Sequence, residues 1–197
     1  VDLSAFYFDI RKDILYCDDL NTKKIINRIT VLSIILKFLL KWFSPILVFT
    51  CEEIYQIIKK NNSKESIFLC DFPKFPEQWF NEKINEKWIF LKTLRSEINN
   101  YIEQKRNEKI IGSGLECSVH ISLDNKYNTH LSDIDLAELF ICSEVTIDNK
   151  EKKFEEIKSE GSIDTLKVIV EKAEGSKCTH CWKVLKNKCY RNNCGIN

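Results

Sequence analysis

Apolar residues recur at intervals of three and four over about the first hundred positions, which is the spacing that places them on one face of an α-helix. Such a stripe predicts a first helix over about residues 4–16, and its members are Leu3, Phe6, Ile10 and Ile14. A second helix is predicted to run from an N-cap at Thr22 to about Phe43. Because this segment is apolar on most of its circumference, we expect it to be central in a helical bundle.

Two further helices complete the predicted bundle. Pro45 can occupy the first turn of the third helix, with Ser44 as its N-cap and an end near Lys60. Prolines then favour an extended connector at residues 72–76. The fourth helix is predicted over about residues 81–107, where one side carries large apolar side chains: Trp88, Leu91, Leu94, Ile98, Tyr101 and Ile102.

The period of the pattern changes from helical to strand-like after the glycine-containing residues 112–114. Apolar and polar residues alternate over residues 115–123, as expected for a half-buried strand. One short helix and two more strands are predicted downstream, over residues 131–139, 140–147 and 166–173. The lysine-rich and acidic run at residues 148–160 predicts a loop or a poorly ordered insert.

The fold class predicted from these patterns is mainly α. A helical bundle at residues 1–110 is followed by a small α+β subdomain at residues 111–174 and a cysteine-containing knuckle at residues 175–197. The most apolar stretch, residues 25–43, is interrupted by basic residues, so we expect a buried helix and no membrane span. The chain contains no methionine, and we expect it to be a fragment of a longer protein.

Four of the nine cysteines lie close together near the end of the sequence: Cys178, Cys181, Cys189 and Cys194. Zinc binds four such ligands at tetrahedral geometry, and the spacing of the first pair is typical of a zinc knuckle. The wider spacing of the second pair leaves two alternatives open. One is a ligand set that includes His180, and the other is a disulfide or no metal.

The other cysteines are scattered at no regular spacing: Cys17, Cys51, Cys70, Cys117 and Cys142. Because the total is odd, a secreted disulfide framework is disfavoured. We interpret these five as buried thiols in a reducing cytoplasm.

Eight short segments match, in the same order, segments of one known family. They are residues 3–13, 15–18, 44–47, 50–55, 94–99, 109–113, 115–116 and 178–182. For example, SPIL and TCEEIY are similar to the family's APILSFTAEEIW helix, LRSEIN to its LR.EVN segment, and CTHCW to its terminal CxRCW zinc knuckle. The chain therefore resembles the C-terminal anticodon-binding region of the bacterial-type isoleucyl-tRNA synthetases. It departs from that family in Ser113-Gly114, in His180 and in the spacing of Cys189 and Cys194.

The resemblance implies a parent enzyme that activates isoleucine with ATP and attaches it to tRNA(Ile). No segment of the chain resembles the family's ATP-binding HIGH and KMSKS sequences or its editing domain, so we expect the catalytic and editing sites to lie elsewhere. This part would select and orient tRNA(Ile). One structural zinc ion would be held by the four knuckle cysteines, with no open position for catalysis. We also expect a cytoplasmic monomer and no membrane partner.

The total charge does not indicate RNA binding, since 30 basic residues face 29 acidic ones and the net charge is +1. Basic residues are nevertheless concentrated at the end of the fourth predicted helix and around the knuckle: Lys105, Arg106, Lys109, Lys183 and Arg191. Trp182 and Tyr190 are candidate surfaces on which splayed bases could stack. A solvated face is the alternative interpretation for the charges, and packing over the metal is the alternative for Trp182.

Two functions of other classes compete with tRNA recognition. A zinc-dependent DNA-binding module of a repair-type protein would explain only the knuckle, and the catalytic N-terminal proline or acid that would favour it is absent. A protein-interaction bundle stapled by a metal would have no affinity for RNA at physiological salt.

Overall fold

The computed structural model describes residues 2–60, 63–147, 163, 166–189, 191 and 194. Contacts between Cα atoms divide the chain into two compact units. The discontinuous unit comprises Val1–Asp19 and Glu82–Asn197, and the inserted unit comprises Leu20–Asn81. The fold class is as predicted: a mainly helical chain with a small α+β region and a cysteine cluster near its end. The predicted domain boundaries at residues 110 and 174 stay a prediction.

Two long helical segments belong to the discontinuous unit. A π-helical segment, Asp2–Phe8, leads directly into helix α1, Asp9–Cys17. The longest helix of the described chain, which we label α4, spans Glu82–Asn107. The buried residues of α4 follow the predicted spacing of three and four: Leu91, Leu94, Ile98 and Ile102. The amphipathic periodicity therefore correctly predicted which face of this helix is buried.

A three-stranded sheet packs in the same unit. Its strands are β1 (Cys117–Ser122), β2 (Glu144–Ile147) and β3 (Lys167–Lys172), in the order β2-β1-β3. The central strand β1 is parallel to β2 and antiparallel to β3. Alternate residues of the strands are buried in one core with the apolar face of α4, as the strand periodicity predicted: Cys117, Val119, Ile121, Val168 and Val170.

Two short helices connect β1 to β2: α5 (Asn128–Leu131) and α6 (Leu136–Phe140). The single helix and the longer strand predicted here are therefore wrong in part. The Asp135 carboxylate accepts from the Glu138 backbone N–H at 3.1 Å and starts a separate helix. Ile141 then adopts a φ of 55°, which ends α6 and delays the strand. The predicted insert at residues 148–160 lies outside the described residues.

The inserted unit contains helices α2 (Lys23–Phe43) and α3 (Val48–Ile58). The Thr22 side chain caps α2 as predicted, accepting from the Ile25 N–H at 3.4 Å. The predicted cap of α3 is wrong. Ser44 ends α2 and donates to the Lys41 carbonyl at 3.0 Å, and the turn that follows delays the start of α3 to Val48.

The core of the inserted unit is small, with Leu40, Cys51 and Ile67 as its buried residues. Among the described residues of α2, only Ile25 and Leu40 are buried, so the expectation of a buried helix central in the bundle is wrong. Aromatic residues cover part of its surface instead, and the rings of Phe38 and Phe75 stack at 4.6 Å. No helix in the described part of the chain is long and apolar enough to cross a membrane.

Candidate metal centre and basic surfaces

The four knuckle cysteines come together in space. A short hairpin of β4 (Ser176–Lys177) and β5 (Val184–Leu185) carries Cys178 and Cys181 in its loop. Cys189 and Cys194 follow the hairpin, and the sulfur atoms of all four lie within 4.8 Å of one another. Cys181 and Cys194 are buried. The sequence spacing therefore predicted a set of residues that folding does assemble.

Local backbone bonds shape the hairpin loop. The Cys178 N–H donates to the Lys183 carbonyl at 2.9 Å, and the Trp182 N–H donates to the Cys178 carbonyl at 3.0 Å. Trp182 has a φ of 63°, a left-handed conformation that turns the chain back into β5. The loop is thereby closed around the first two sulfur atoms.

The donor set fits a structural metal. Zinc–sulfur bonds of about 2.3 Å at tetrahedral angles require sulfur atoms roughly 3.8 Å apart. The Cys181 and Cys189 sulfur atoms are separated by 4.0 Å. Four thiolates would complete a tetrahedral coordination sphere and leave no position for a reacting water.

The protein environment acts on the thiols in opposite directions. Hydrogen bonds from backbone N–H groups, first that of Cys181, lower the pKa of Cys178 to about 7. Burial raises the pKa of Cys181 to about 11 and also raises the pKa of Cys194. Since metals bind the thiolate form, the lowered pKa of Cys178 favours its role as a ligand.

A fifth cysteine lies beside this cluster. Cys17, at the end of α1, is buried and packs with Cys181 and Cys194. Its sulfur also forms, with Cys194 and His180, a second group of donor atoms within 4.8 Å of one another. From the sequence, Cys17 is interpreted only as a buried thiol, because no local pattern links it to the knuckle cysteines so far along the chain.

Ion pairs attach the knuckle to α1. An Arg191 guanidinium nitrogen (Nη1) lies 2.7 Å from the Asp13 carboxylate and Nε lies 3.3 Å from that of Asp18. The Lys183 ammonium lies 3.7 Å from Asp13. Burial would lower the pKa of Arg191, but Asp13 raises it by more, so the guanidinium stays charged. Arg191 and Lys183, two of the predicted RNA contacts, are thus engaged within the chain.

A second set of contacts joins the knuckle to the turn after α4. The Glu116 carboxylate accepts from the Lys177 ammonium at 2.7 Å and from the Gly112 N–H at 3.0 Å. The Val184 N–H donates to the Ser143 hydroxyl at 2.7 Å. The hairpin is consequently anchored on the sheet as well as on α1.

The remaining predicted RNA contacts are accessible. Lys105 pairs with Glu108 at 2.9 Å and Arg106 with Glu103 at 3.1 Å, both on the surface of α4. Lys109 is exposed at the end of this helix, and the Trp182 side chain is 60% exposed. Tyr190 lies outside the described residues.

Sequence reasoning missed a basic cavity in the inserted unit. Five lysines from α2 and from the segment around the end of α3 line it: Lys37, Lys41, Lys59, Lys60 and Lys64. The available signal was the i, i+4 pair of lysines on α2, but this pattern is also typical of a solvated helix face.

Comparison with known proteins gives a consistent result. Residues 1–121 match the family described as the anticodon-binding domain of tRNA ligase. The chain is 44% identical over 191 residues to the isoleucine–tRNA ligase of Pelagibacter ubique, covering 97% of the chain and 20% of that protein. It is 37% identical to the isoleucine–tRNA ligase of Agrobacterium fabrum, covering 93% of the chain and 19% of that protein. It is also 37% identical to the isoleucine–tRNA ligase of Petrotoga mobilis, covering 95% of the chain and 20% of that protein. The chain spans about a fifth of the length of these relatives.

Proposed function

The chain belongs to the anticodon-binding domain family of tRNA ligases, and from this we propose that it is the anticodon-recognition part of an isoleucine–tRNA ligase. Membership of the family implies that the chain binds tRNA. The observation that carries the specific proposal is the 44% identity to an isoleucine–tRNA ligase over 97% of the chain. No DNA-repair protein is needed to explain the knuckle, because the match to the Pelagibacter ubique ligase extends over 97% of the chain.

The proposed role of the chain within that ligase is selection and orientation of tRNA(Ile). The complete enzyme would use ATP to activate isoleucine and would attach it to the tRNA. Those reactions, and any editing, would be carried out by parts of the ligase outside this chain. The comparisons support this division because the chain corresponds to about a fifth of each relative.

We assign one zinc ion to the four knuckle cysteines, in a structural role. A closed thiolate tetrahedron supplies folding free energy and no catalytic water. None of the nine cysteines forms a disulfide, which supports the proposal of a reducing, cytoplasmic location. We further propose that the chain acts as a monomer.

The six predicted RNA contacts that the structure describes would act in two ways. Lys105, Arg106 and Lys109 offer cations to phosphates, and Trp182 offers an exposed ring on which a base can stack. Lys183 and Arg191 would act chiefly by holding the knuckle, since Asp13 already neutralises part of their charge.

The decisive experiment compares three nucleic acids with the zinc-loaded chain at stated salt concentrations. They are an isoleucine anticodon stem-loop, the same stem-loop with a swapped anticodon, and a DNA duplex of equal charge. We expect the cognate stem-loop to bind tightest and Trp182→Ala to reduce its preference over the swapped one. Equal affinity for all three would contradict anticodon recognition, and absence of binding would contradict a role for this chain in holding tRNA.

A further inference from the structure

The lysine cavity of the inserted unit is a strongly basic concave surface. It has a volume of about 520 Å³ and is lined by the five lysines Lys37, Lys41, Lys59, Lys60 and Lys64. Asp71 is the one acidic residue among the described residues that line it. The nearly neutral chain therefore concentrates positive charge in one place.

Most of this charge is not paired with any acidic residue that the structure describes. Lys64 donates to the Leu69 carbonyl and lies 3.8 Å from Asp71, whose side chain is 99% exposed. Lys59 donates to the Glu65 carbonyl at 3.5 Å and forms no ion pair within the described part of the chain, although its charge also acts on the Glu52 carboxylate. Lys37, Lys41 and Lys60 form no ion pair with any residue that the structure describes.

Helix ends help to keep these lysines together. Lys41 lies in the last turn of α2, and Lys59 is the C-terminal cap of α3. The partial negative charge at a helix C-terminus stabilises nearby ammonium groups and offsets part of their mutual repulsion. A bound anion would relieve the remaining repulsion. Because the folded chain already holds these lysines close together, anion binding does not have to supply the energy that brings them together.

Apolar walls strengthen the field inside the cavity. Phe38, Leu40 and Ile67 contribute to its lining, and the last two are buried. Low-dielectric walls focus the potential of charges at the rim of a cleft. Lysines act as mobile point charges, whereas arginines form planar forks, so the site suits phosphates at varied positions better than one fixed ligand geometry.

We propose that this lysine cavity binds phosphodiester groups of an RNA backbone, independently of base sequence. The choice of RNA rests on the proposed function; the preference for a polyanion rests on the cavity alone. The cavity would contribute affinity and register, while base recognition would be located elsewhere in the chain.

The test uses a triple variant of the whole chain, Lys37→Gln, Lys41→Gln and Lys60→Gln. A matched control, Lys23→Gln, Lys24→Gln and Lys74→Gln, removes the same charge from exposed lysines of the same unit that do not line the cavity. Affinity for the isoleucine anticodon stem-loop and for a stem-loop with a swapped anticodon is measured over a series of salt concentrations. Inorganic tripolyphosphate, which contains neither RNA nor protein, and poly-glutamate, an acidic polypeptide, serve as two further probes.

We expect the cavity variant to bind both stem-loops roughly 100-fold more weakly at 0.1 M salt, with a salt slope lower by about 2. The ratio of the affinities for the two stem-loops should not change, and the control variant should bind nearly as the unmodified chain does.

Equal affinities and salt slopes for the cavity and control variants would overturn the proposal and leave the proposed function intact. If the unmodified chain binds neither stem-loop, the RNA assignment is overturned, and loss of tripolyphosphate binding in the cavity variant would then show a phosphate site that does not bind RNA. If poly-glutamate binds the unmodified chain as tightly as the stem-loops do, the result would indicate an acidic protein partner and overturn the RNA assignment.

Discussion

At the scale of single residues, Cys17 shows how a side chain distant in sequence can lie beside a proposed metal centre. It packs against Cys181 and Cys194 from the end of α1. Burial raises the pKa of its thiol, as it does for the two knuckle cysteines against which it packs. Because the four knuckle sulfurs can fill a tetrahedron by themselves, we expect Cys17 to pack beside the metal without ligating it.

Substitution of individual cysteines tests this assignment. Cys178→Ser should reduce the zinc content from about one ion per chain to a small fraction, whereas Cys17→Ser should retain about one. Zinc would be measured by mass spectrometry after dialysis. Cys51→Ser, which removes a buried thiol of the inserted unit, is the control. Loss of zinc from the Cys17 variant would show that this residue is a ligand.

Arg191 is predicted to stabilise the fold. Arg191→Gln leaves the Asp13 carboxylate, whose side chain is 19% exposed, without its closest cation. We expect the free energy of unfolding, measured with urea, to fall by roughly 3 kcal/mol. Lys186→Gln breaks an ion pair with Glu174 that is largely exposed and should change stability by less than about 1 kcal/mol. An Arg191 variant of unchanged stability but weaker RNA binding would instead make this residue a direct RNA contact.

At the scale of elements, the β4–β5 hairpin depends on one glycine. Gly175 has a φ of 129°, and a Cβ atom there would lie 2.1 Å from the Leu185 carbonyl oxygen. Because that obstacle is backbone, the hairpin itself must move to accept a side chain.

Gly175→Ala should therefore destabilise the knuckle by about 2 kcal/mol or more and weaken zinc binding. Thermal denaturation and competition with a coloured chelator would measure the two effects. The control is Gly112→Ala, whose new Cβ would meet the flexible Glu116 carboxylate at 3.1 Å. Similar losses in both variants would mean that the hairpin is not specifically affected.

Asp9 links α1 to α4 and makes their packing sensitive to pH. Its carboxylate lies 2.8 Å from Lys12 and 2.9 Å from Arg95, and Arg95 also donates to the Leu139 carbonyl at 2.9 Å. Burial raises the pKa of Asp9, but the two cations lower it by more, to below its ordinary value of 3.8. A lowered pKa stabilises the folded chain. This stabilisation is fully present when the pH is above the ordinary pKa, and it is lost as the pH falls through the lower pKa of the folded state.

The expected signature is a difference between two proteins. Asp9→Asn should destabilise the chain by a constant amount above about pH 5, and this difference should shrink as the pH falls below 3.8. Urea unfolding between about pH 3 and pH 6 would measure it. Asp124→Asn, at an exposed position, should show little effect at any pH. A difference that grows on acidification would contradict this role of Asp9.

At the scale of the whole molecule, the metal is predicted to affect one unit only. The knuckle is bound to α1 through Asp13, Asp18 and Cys17, all within the discontinuous unit. Removal of zinc with a chelator should speed amide hydrogen exchange in β4, β5 and the last turn of α1, with α2 and α3 unchanged. Mass spectrometry of proteolytic peptides would measure this. Uniform acceleration along the chain would mean that the two units unfold together.

The helices and strands were largely predictable because their signals are local. The Thr22 cap, the buried face of α4 and the alternation along β1 each depend on residues a few positions apart. The errors occurred where a tertiary or turn contact outweighed that signal. Ser44 bonds back to α2, and Ile141 adopts a left-handed turn.

The sequence by itself determined the order and type of most elements and the four cysteines of the knuckle, since period and spacing act over short stretches of chain. Only the tertiary structure decided that Cys17 joins those cysteines and that Arg191 and Lys183 bind Asp13. It also decided that lysines of α2 meet lysines from around the end of α3 in one cavity. These arrangements join residues far apart in sequence, and their energies depend on burial and on distances that no local pattern records.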